Sequence, residues 1–333
     1  MTCLLILTST AFTQGLSSAF PGDAGIADHP SVVFVEDFES GTLPEIGARW
    51  GEISNAENRP IKLSGDVPEG SPGQKSLSIT ATRGSDNGGH LYTVLKPGHD
   101  TIYARYYVKF AEDYGHNHHF VNLCGRADPP PWPIGGAGSK AIDHFYVELD
   151  PQPGSYHTYP GPTFNPPGIW HFYAYWPEMN SWQGPEGTSF YGNNFEPIEP
   201  VVADRGRWIC CEFMVKMNST PDTRDGELTM WIDGVRTLHL APGSVEGHWF
   251  LDKFRMGESE DNAPFEGFRW RVDSDVEVNA FWLLHYVTEK AFKQNEDFAA
   301  NNPDYPSNTK TATCWFDHIV LATEYVGPMA PAE

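Results

Sequence analysis

The ten residues TIYARYYVKF, Thr101 to Phe110, alternate without a break: Ala104, Tyr106, Val108 and Phe110 fall on one side, Tyr103, Arg105, Tyr107 and Lys109 on the other. A period of two belongs to a half-buried β-strand, whose successive side chains point to opposite faces of a sheet. The same grammar returns three times. In AIDHFYVELD, Phe145, Val147 and Leu149 alternate with His144, Tyr146 and Glu148. In GIWHFYAYW, Phe172, Ala174 and Trp176 alternate with His171, Tyr173 and Tyr175. RWICCEFMVKMN sets Ile209, Cys211, Phe213, Val215 and Met217 against Trp208, Cys210, Glu212, Met214, Lys216 and Asn218. Four strands thus oppose an apolar face to one of His, Tyr, Trp, Arg, Lys and Glu, as antiparallel sheets with one packed face do.

Around these four, SVVFVEDFESG, GQKSLSITATRG, GHLYTVLKPG and CWFDHIVLATEYVGP read as further short strands bounded by turns. GELTMWIDGVRTLHL reads as a hairpin turning at Asp233-Gly234. The stretch NAFWLLHYVTEKAFKQNEDFAANNP fits a strand running into a helix or an irregular loop. With 32 Gly, 28 Pro and 14% aromatic residues in 333, the chain is folded and turn-rich, which excludes a helical bundle. No fixed repeat and no long linker divides it. The expected fold class is an all-β sandwich forming one domain over residues 31–329, with the Pro-rich loops DPPPWPIGG and PQPGSYHTYPGPTFNPPG available to carry binding groups.

A formal charge of −22 weighs against nonspecific nucleic-acid binding and against an anionic membrane surface. Residues 1–30 read as a signal-like leader and N-terminal segment, with an apolar run from Cys3 to Leu7 and a small-residue cleavage site near Ser17 to Ala19. No Lys or Arg precedes Arg49, so a basic start is missing or lies upstream of Met1. The expected location is secreted or periplasmic, and the expected state a monomer. Cys124, Cys210, Cys211 and Cys314 would then allow three pairings as two bridges, or remain buried thiols; the adjacent pair points to opposite faces.

The opening EDFESG, the strand YARYYVKF, the segment GRWICCEFMVKMNS followed by DGELTMWIDG, and the closing WFDHIVLATEYVGP resemble the concanavalin A-like jelly roll of secreted polysaccharide lyases of the alginate and glucuronan lyase kind. The resemblance covers most of the chain after residue 30. It implies two curved antiparallel sheets with an acidic polysaccharide across one face. It also implies β-elimination, in which one group neutralises the uronate carboxylate, a His or Tyr removes the C5 proton and a Tyr protonates the leaving oxygen. The fold also serves lectins and hydrolases.

On that resemblance Arg105 neutralises the carboxylate, His118 or His171 is the base, and Tyr146 or Tyr173 the acid, with Tyr175 a further tyrosine of the same face. Strict alternation with Val121 and Leu123 turns His119 inward, which favours His118. Tyr103, Tyr107, Lys109, His144, Glu148, Glu212 and Lys216 would line the substrate path. Glu212 and Lys216 also fit a cross-strand charge pair. His116 with His118 would suit a metal better than the consecutive pair His118 and His119. No cofactor is required; a structural calcium, as the resemblance implies, would lie between Glu39 (or Glu36) and Asp317. The Tyr-x-Lys-x-Gly-x-Tyr-x-Gln signature of many alginate lyases is absent.

Two other function classes stay open. A non-catalytic, lectin-like protein would stack sugars on the aromatic faces. A glycoside hydrolase would need a second carboxylate beside Glu148 and Asp150, where Pro151, Gln152 and Pro153 stand instead; Glu148 with Glu212 is the remaining pair.

Overall fold

A computed structural model describes residues 14–153, 164–184 and 187–332. Two large sheets pack face to face. The first runs Val235–Leu240, Glu227–Ile232, Trp208–Lys216, Thr101–Phe110, Thr311–Ala322, Ser76–Thr82, Ile61–Ser64, with Val32–Glu36 also paired to Thr311–Ala322. The second runs Ala263–Pro264, Glu246–Phe250, Lys253–Met256, Asn193–Phe195, Ile169–Tyr175, His144–Gln152, Val121–Arg126, Val278–Tyr286, Gly88–His99, Glu52–Ser54. All their ladders are antiparallel except that between Asn193–Phe195 and Lys253–Met256. The arrangement is the all-β sandwich expected from the alternation, and the jelly roll that the resemblance implies.

The inward residues are those the period of two selects. Ala104, Tyr106, Val108, Phe110, Ile209, Phe213 and Val215 from the first sheet meet Phe145, Val147, Leu149, Trp170 and Phe172 from the second, all fully buried. Rings interlock across the layer, Phe110 with Trp170 at 6.0 Å and Phe172 with Phe213 at 6.1 Å between centroids. The hairpin turns where expected, with both Asp233 and Gly234 at positive φ. The ambiguous stretch near 279–303 is a strand, Val278–Tyr286, then a helix, Glu289–Asn301, whose first turn is capped by the Thr288 side chain accepting from Ala291 N.

The two polar faces, however, belong to opposite sides of the sandwich. Thr101–Phe110 and Trp208–Lys216 pair with each other in the first sheet, whereas His144–Gln152 and Ile169–Tyr175 pair in the second. The outer face of the first sheet is roofed by residues 15–28 and 323–332. Leu16 N and Ser17 N donate to Tyr325 O and Val326 O, and Ile26 packs with Val320, Ala322 and Val326. Beneath this roof Arg105 is 0% exposed and pairs through Nη2 with Asp23 at 2.6 Å; Asp23 also contacts His318 Nδ1 at 2.9 Å.

Six expected site residues lie in the first sheet, away from the second sheet's groove, four of them beneath this roof. Arg105 is ion-paired under it and does not neutralise a substrate carboxylate in the second sheet's groove. Glu212 accepts from Val326 N and Gly327 N at 2.7 and 2.8 Å, and Tyr107 OH accepts from Met329 N at 3.0 Å. Tyr103 packs against Trp231 and Tyr325, Lys109 pairs with Asp66, and Lys216 pairs with its cross-strand neighbour Glu227. Glu148 and Glu212 therefore stand in different sheets, which removes them as a hydrolytic pair.

At the place expected for a calcium, between Glu39 and Asp317, one oxygen of each carboxylate is taken up by backbone N–H groups. Glu39 Oε1 accepts from Gln74 N and Lys75 N at 2.7 and 2.6 Å, and Asp317 Oδ1 accepts from His318 N at 2.7 Å. Among the described residues no group of three or more His, Cys, Asp or Glu is placed to hold a metal ion. The apolar run of the leader lies outside the described residues. Its suggested cleavage site, Ser17 to Ala19, lies inside the packed roof. No helix among the described residues is long and apolar enough to cross a membrane. The four described cysteines are buried free thiols.

Removing one partner of a buried ion pair leaves an uncompensated charge, which costs about 3–5 kcal/mol. Asp23→Ala, which strands Arg105, should lower thermal stability by that order while leaving the groove's ligand affinity unchanged at permissive temperature; calorimetry and ligand titration together check this. Burial works against the Asp23 carboxylate, but Arg105 and His318 outweigh it and hold its pKa below the ordinary value. This contribution is therefore present above about pH 4 and fades as pH falls further.

Candidate functional site

The outer face of the second sheet is open along a groove. Register places Asn194 opposite Tyr173, Tyr173 opposite Glu148, Glu148 opposite Asn122, and Asn122 opposite Trp282, in one row across the strands. One step along the strands, Asp150 lies opposite His171. The helix Glu289–Asn301 forms one wall, presenting Lys290 and Gln294. It is tied to the sheet through Asn295, whose Oδ1 accepts from His116 N at 2.6 Å and whose Nδ2 donates to His116 O at 3.3 Å. Gly115 permits this approach: a Cβ there would come within 2.1 Å of the Asn295 amide. On the other side, Gly192 lies so close to the Tyr173 ring that a Cβ would stand 2.5 Å from it.

Two histidine–carboxylate pairs occupy the floor. His119 Nδ1 lies 2.9 Å from Glu148 Oε2, and the other Glu148 oxygen accepts from Phe120 N. Nε2 is the nitrogen left to meet a ligand. His171 Nδ1 lies 2.7 Å from Asp150 Oδ1 and 3.1 Å from its backbone oxygen, while Nε2 reaches Asn194 Oδ1 at 3.1 Å. Gln152 donates to the second Asp150 oxygen. Tyr173 OH sits 3.2 Å from Tyr175 OH, and its ring centroid is 5.8 Å from that of His119.

Burial alone would drive His171 towards neutrality, but the Asp150 carboxylate, with Glu196 further off, outweighs it and raises the imidazole to about 9. His119 shows the same contest, and Glu148 and Asp150 carry it above the usual value. Partial desolvation against the groove and the neighbouring His119 lower the His118 imidazole to about 4, although the residue as a whole is exposed at the groove's edge. Burial also keeps the Tyr173 hydroxyl protonated far into the alkaline range. The floor therefore offers a cation at His171, an imidazole at His119 whose proton affinity is raised above the usual, and a phenol that retains its proton.

Of the residues singled out from sequence, His118, His171, Tyr173 and Glu148 meet here, with Tyr146 and Tyr175 close by. His119, expected to turn inward, lines the groove instead. It precedes the regular strand Val121–Arg126 and makes an isolated bridge to Tyr286, so strand alternation does not extend to it. Tyr146 is corrected as the acid: its hydroxyl donates to Ile134 O, and the Pro-rich loop covers it. Tyr175 is similarly covered, at 7% exposure. His144 pairs with Asp143 at 2.6 Å outside the groove, and His116 is buried against Phe298, apart from His118. Sequence reasoning weighed Asp150 and Gln152 only as part of a hydrolase motif and passed over Asn122, Asn194 and Trp282. Asp150 and Gln152 continue the Glu148 alternation, and Trp282 alternates with buried Phe281 and Leu283, so those signals were present.

The architecture matches solved structures over nearly its whole length. An alginate lyase, Aly36B, solved as a double mutant with an alginate tetrasaccharide, superposes with a TM-score of 0.54 at 12% identity, covering 90% of this chain and 99% of that one. The alginate lyase vAL-1 from Chlorella virus gives 0.52 at 11% identity, covering 88% and 99%. The chain has the jelly-roll fold of these lyases. No family model and no curated protein matches its sequence. At such identities the shared property of this jelly-roll lyase fold is architecture, and the chemistry rests on the side chains.

Asp150→Asn should remove the charge that holds His171 protonated. Burial then dominates, and its pKa should fall from about 9 to below the ordinary histidine value; an NMR titration of the His171 ring reads this directly. The sign for stability follows. The His171 contribution is complete below about pH 6.5 and disappears as pH rises through about 9, and Asp150→Asn should flatten that dependence.

Proposed function

We propose that this protein is a polysaccharide lyase that cleaves a uronate-containing chain by β-elimination in the groove of the second sheet. The observation that carries the reading is the meeting of His119, His171 and Tyr173 around one cavity, each tied to a partner that suits its role. The His171 imidazolium and Asn194 stabilise the substrate carboxylate as C5 becomes anionic, which electrostatic preorganisation does best in an enclosed site. His119, oriented by Glu148, takes the C5 proton at Nε2. It suits this better than His118, because a base works best with its pKa near the working pH. Tyr173 gives its proton to the departing glycosidic oxygen.

The lyase fold of the neighbours and their oligosaccharide complexes support this reading. The apolar run from Cys3 to Leu7 supports action outside the cell. The acidic surface is no obstacle, since the groove's two carboxylates are each matched by a histidine and Lys290 adds a positive group at the rim.

Incubation with polyuronates should release unsaturated ends absorbing in the ultraviolet. Activity should rise with pH as His119, facing Glu148, Asp150 and His118, loses its proton. It should fall near pH 9, where His171, facing Asp150 and Glu196, does the same. His119→Gln should lower kcat by about 10²–10⁴-fold with a small change in KM. Absence of ultraviolet-absorbing product from every polyuronate across this range would defeat the assignment.

A further inference from the structure

The groove has two chemically different halves that meet at His119 and Tyr173. The larger, about 300 Å³, is lined by His118, Asp150, His171, Asn194, Lys290 and Gln294 among others. The smaller, about 90 Å³, is lined by Asn122, Tyr146, Glu148, Tyr175, Trp282 and Leu284, with Gly135, Gly136 and Ala137 of the Pro-rich loop above. Among the described residues the second half has no Lys or Arg in its lining, and its floor carries a carboxylate, Glu148. A uronate there would set its own carboxylate beside Glu148, whose two oxygens already take up His119 and Phe120 N, with no Lys or Arg of the lining left to meet it. A neutral pyranose would instead lay its C–H face on the Trp282, Leu284 and tyrosine carbon surface and turn its hydroxyls to Asn122 and Glu148.

We propose that the substrate is a mixed polysaccharide in which a uronate alternates with a neutral sugar, the uronate held in the basic half and the neutral sugar in the aromatic half. The proposal rests on the lyase reading above for its chemistry, and on the lining of the two halves for its specificity. His119 Nε2 takes the C5 proton of the uronate, the freed electron pair forms the C4=C5 double bond, and the C4–O bond breaks. The departing oxygen, which belongs to the neutral sugar, receives the Tyr173 proton. The product then carries an unsaturated uronate at its new non-reducing end, and the other fragment ends in a neutral reducing sugar.

The test compares a polymer of alternating glucuronate and rhamnose with polyglucuronate and polymannuronate, measuring kcat/KM from the ultraviolet product and tetrasaccharide affinity by calorimetry. The mixed polymer should exceed both homopolymers at least 10-fold in kcat/KM and yield a disaccharide of unsaturated uronate and rhamnose by mass spectrometry. Ala137→Arg, on the exposed loop above the aromatic half, adds a cation there and should narrow the gap by improving the homopolymers. Equal or better cleavage of a homopolyuronate overturns the proposal and leaves the lyase reading standing. If no polymer yields an unsaturated end but the mixed tetrasaccharide binds at least 10-fold more tightly, the lyase reading falls and the two-half specificity stands. Affinity equal for all three, with no product, overturns both.

Discussion

The two sheets must give one face of every strand to a single shared core, and this constraint sets the rest of the molecule. Once Phe110, Trp170, Phe172 and Phe213 interlock between the layers, each sheet is left with an outward polar face that has to be satisfied separately. The faces are satisfied in opposite ways. The first is roofed by the segments flanking the sandwich, which makes Arg105 a buried structural cation held by Asp23. The second is left as a groove, in which histidine and carboxylate answer each other within hydrogen-bonding distance.

A chain this acidic can hold an anion only if charge is arranged locally. The groove achieves this by pairing rather than by accumulating bases. Asp150 supports the positive charge on His171, and Glu148 orients His119 and raises its proton affinity, so carboxylates that would repel a uronate instead tune the two histidines that meet it. Several bases elsewhere are committed. Lys109, Lys216, Arg269 and Arg271 each pair with a carboxylate outside the groove.

What the sequence made legible follows from what is local. Alternation identified Ala104, Tyr106, Val108 and Phe110, and likewise Phe145, Val147 and Leu149, as core residues, because a strand's two faces are set by its own backbone. It placed His171, Tyr173 and Glu148 on a common face for the same reason. It did not tell that Thr101–Phe110 pairs with Trp208–Lys216 and not with His144–Gln152, since a pairing partner is chosen by contacts far apart in sequence. Arg105 was misplaced on that account. His119 was missed because regular alternation was carried into residues 115–120, where the chain is irregular and Phe120 and Val121 are both buried.

The four buried thiols are distributed unequally between the layers: Cys124 lies in the grooved sheet, and Cys210, Cys211 and Cys314 in the roofed one. Burial raises the pKa of all four well above that of a free cysteine, so the reactive thiolate is scarce while the sheets hold. Each sheet thereby carries its own built-in probe of opening. The order in which an alkylating reagent captures them would report which layer of the sandwich loosens first, and whether the groove can breathe without disturbing the face that anchors it.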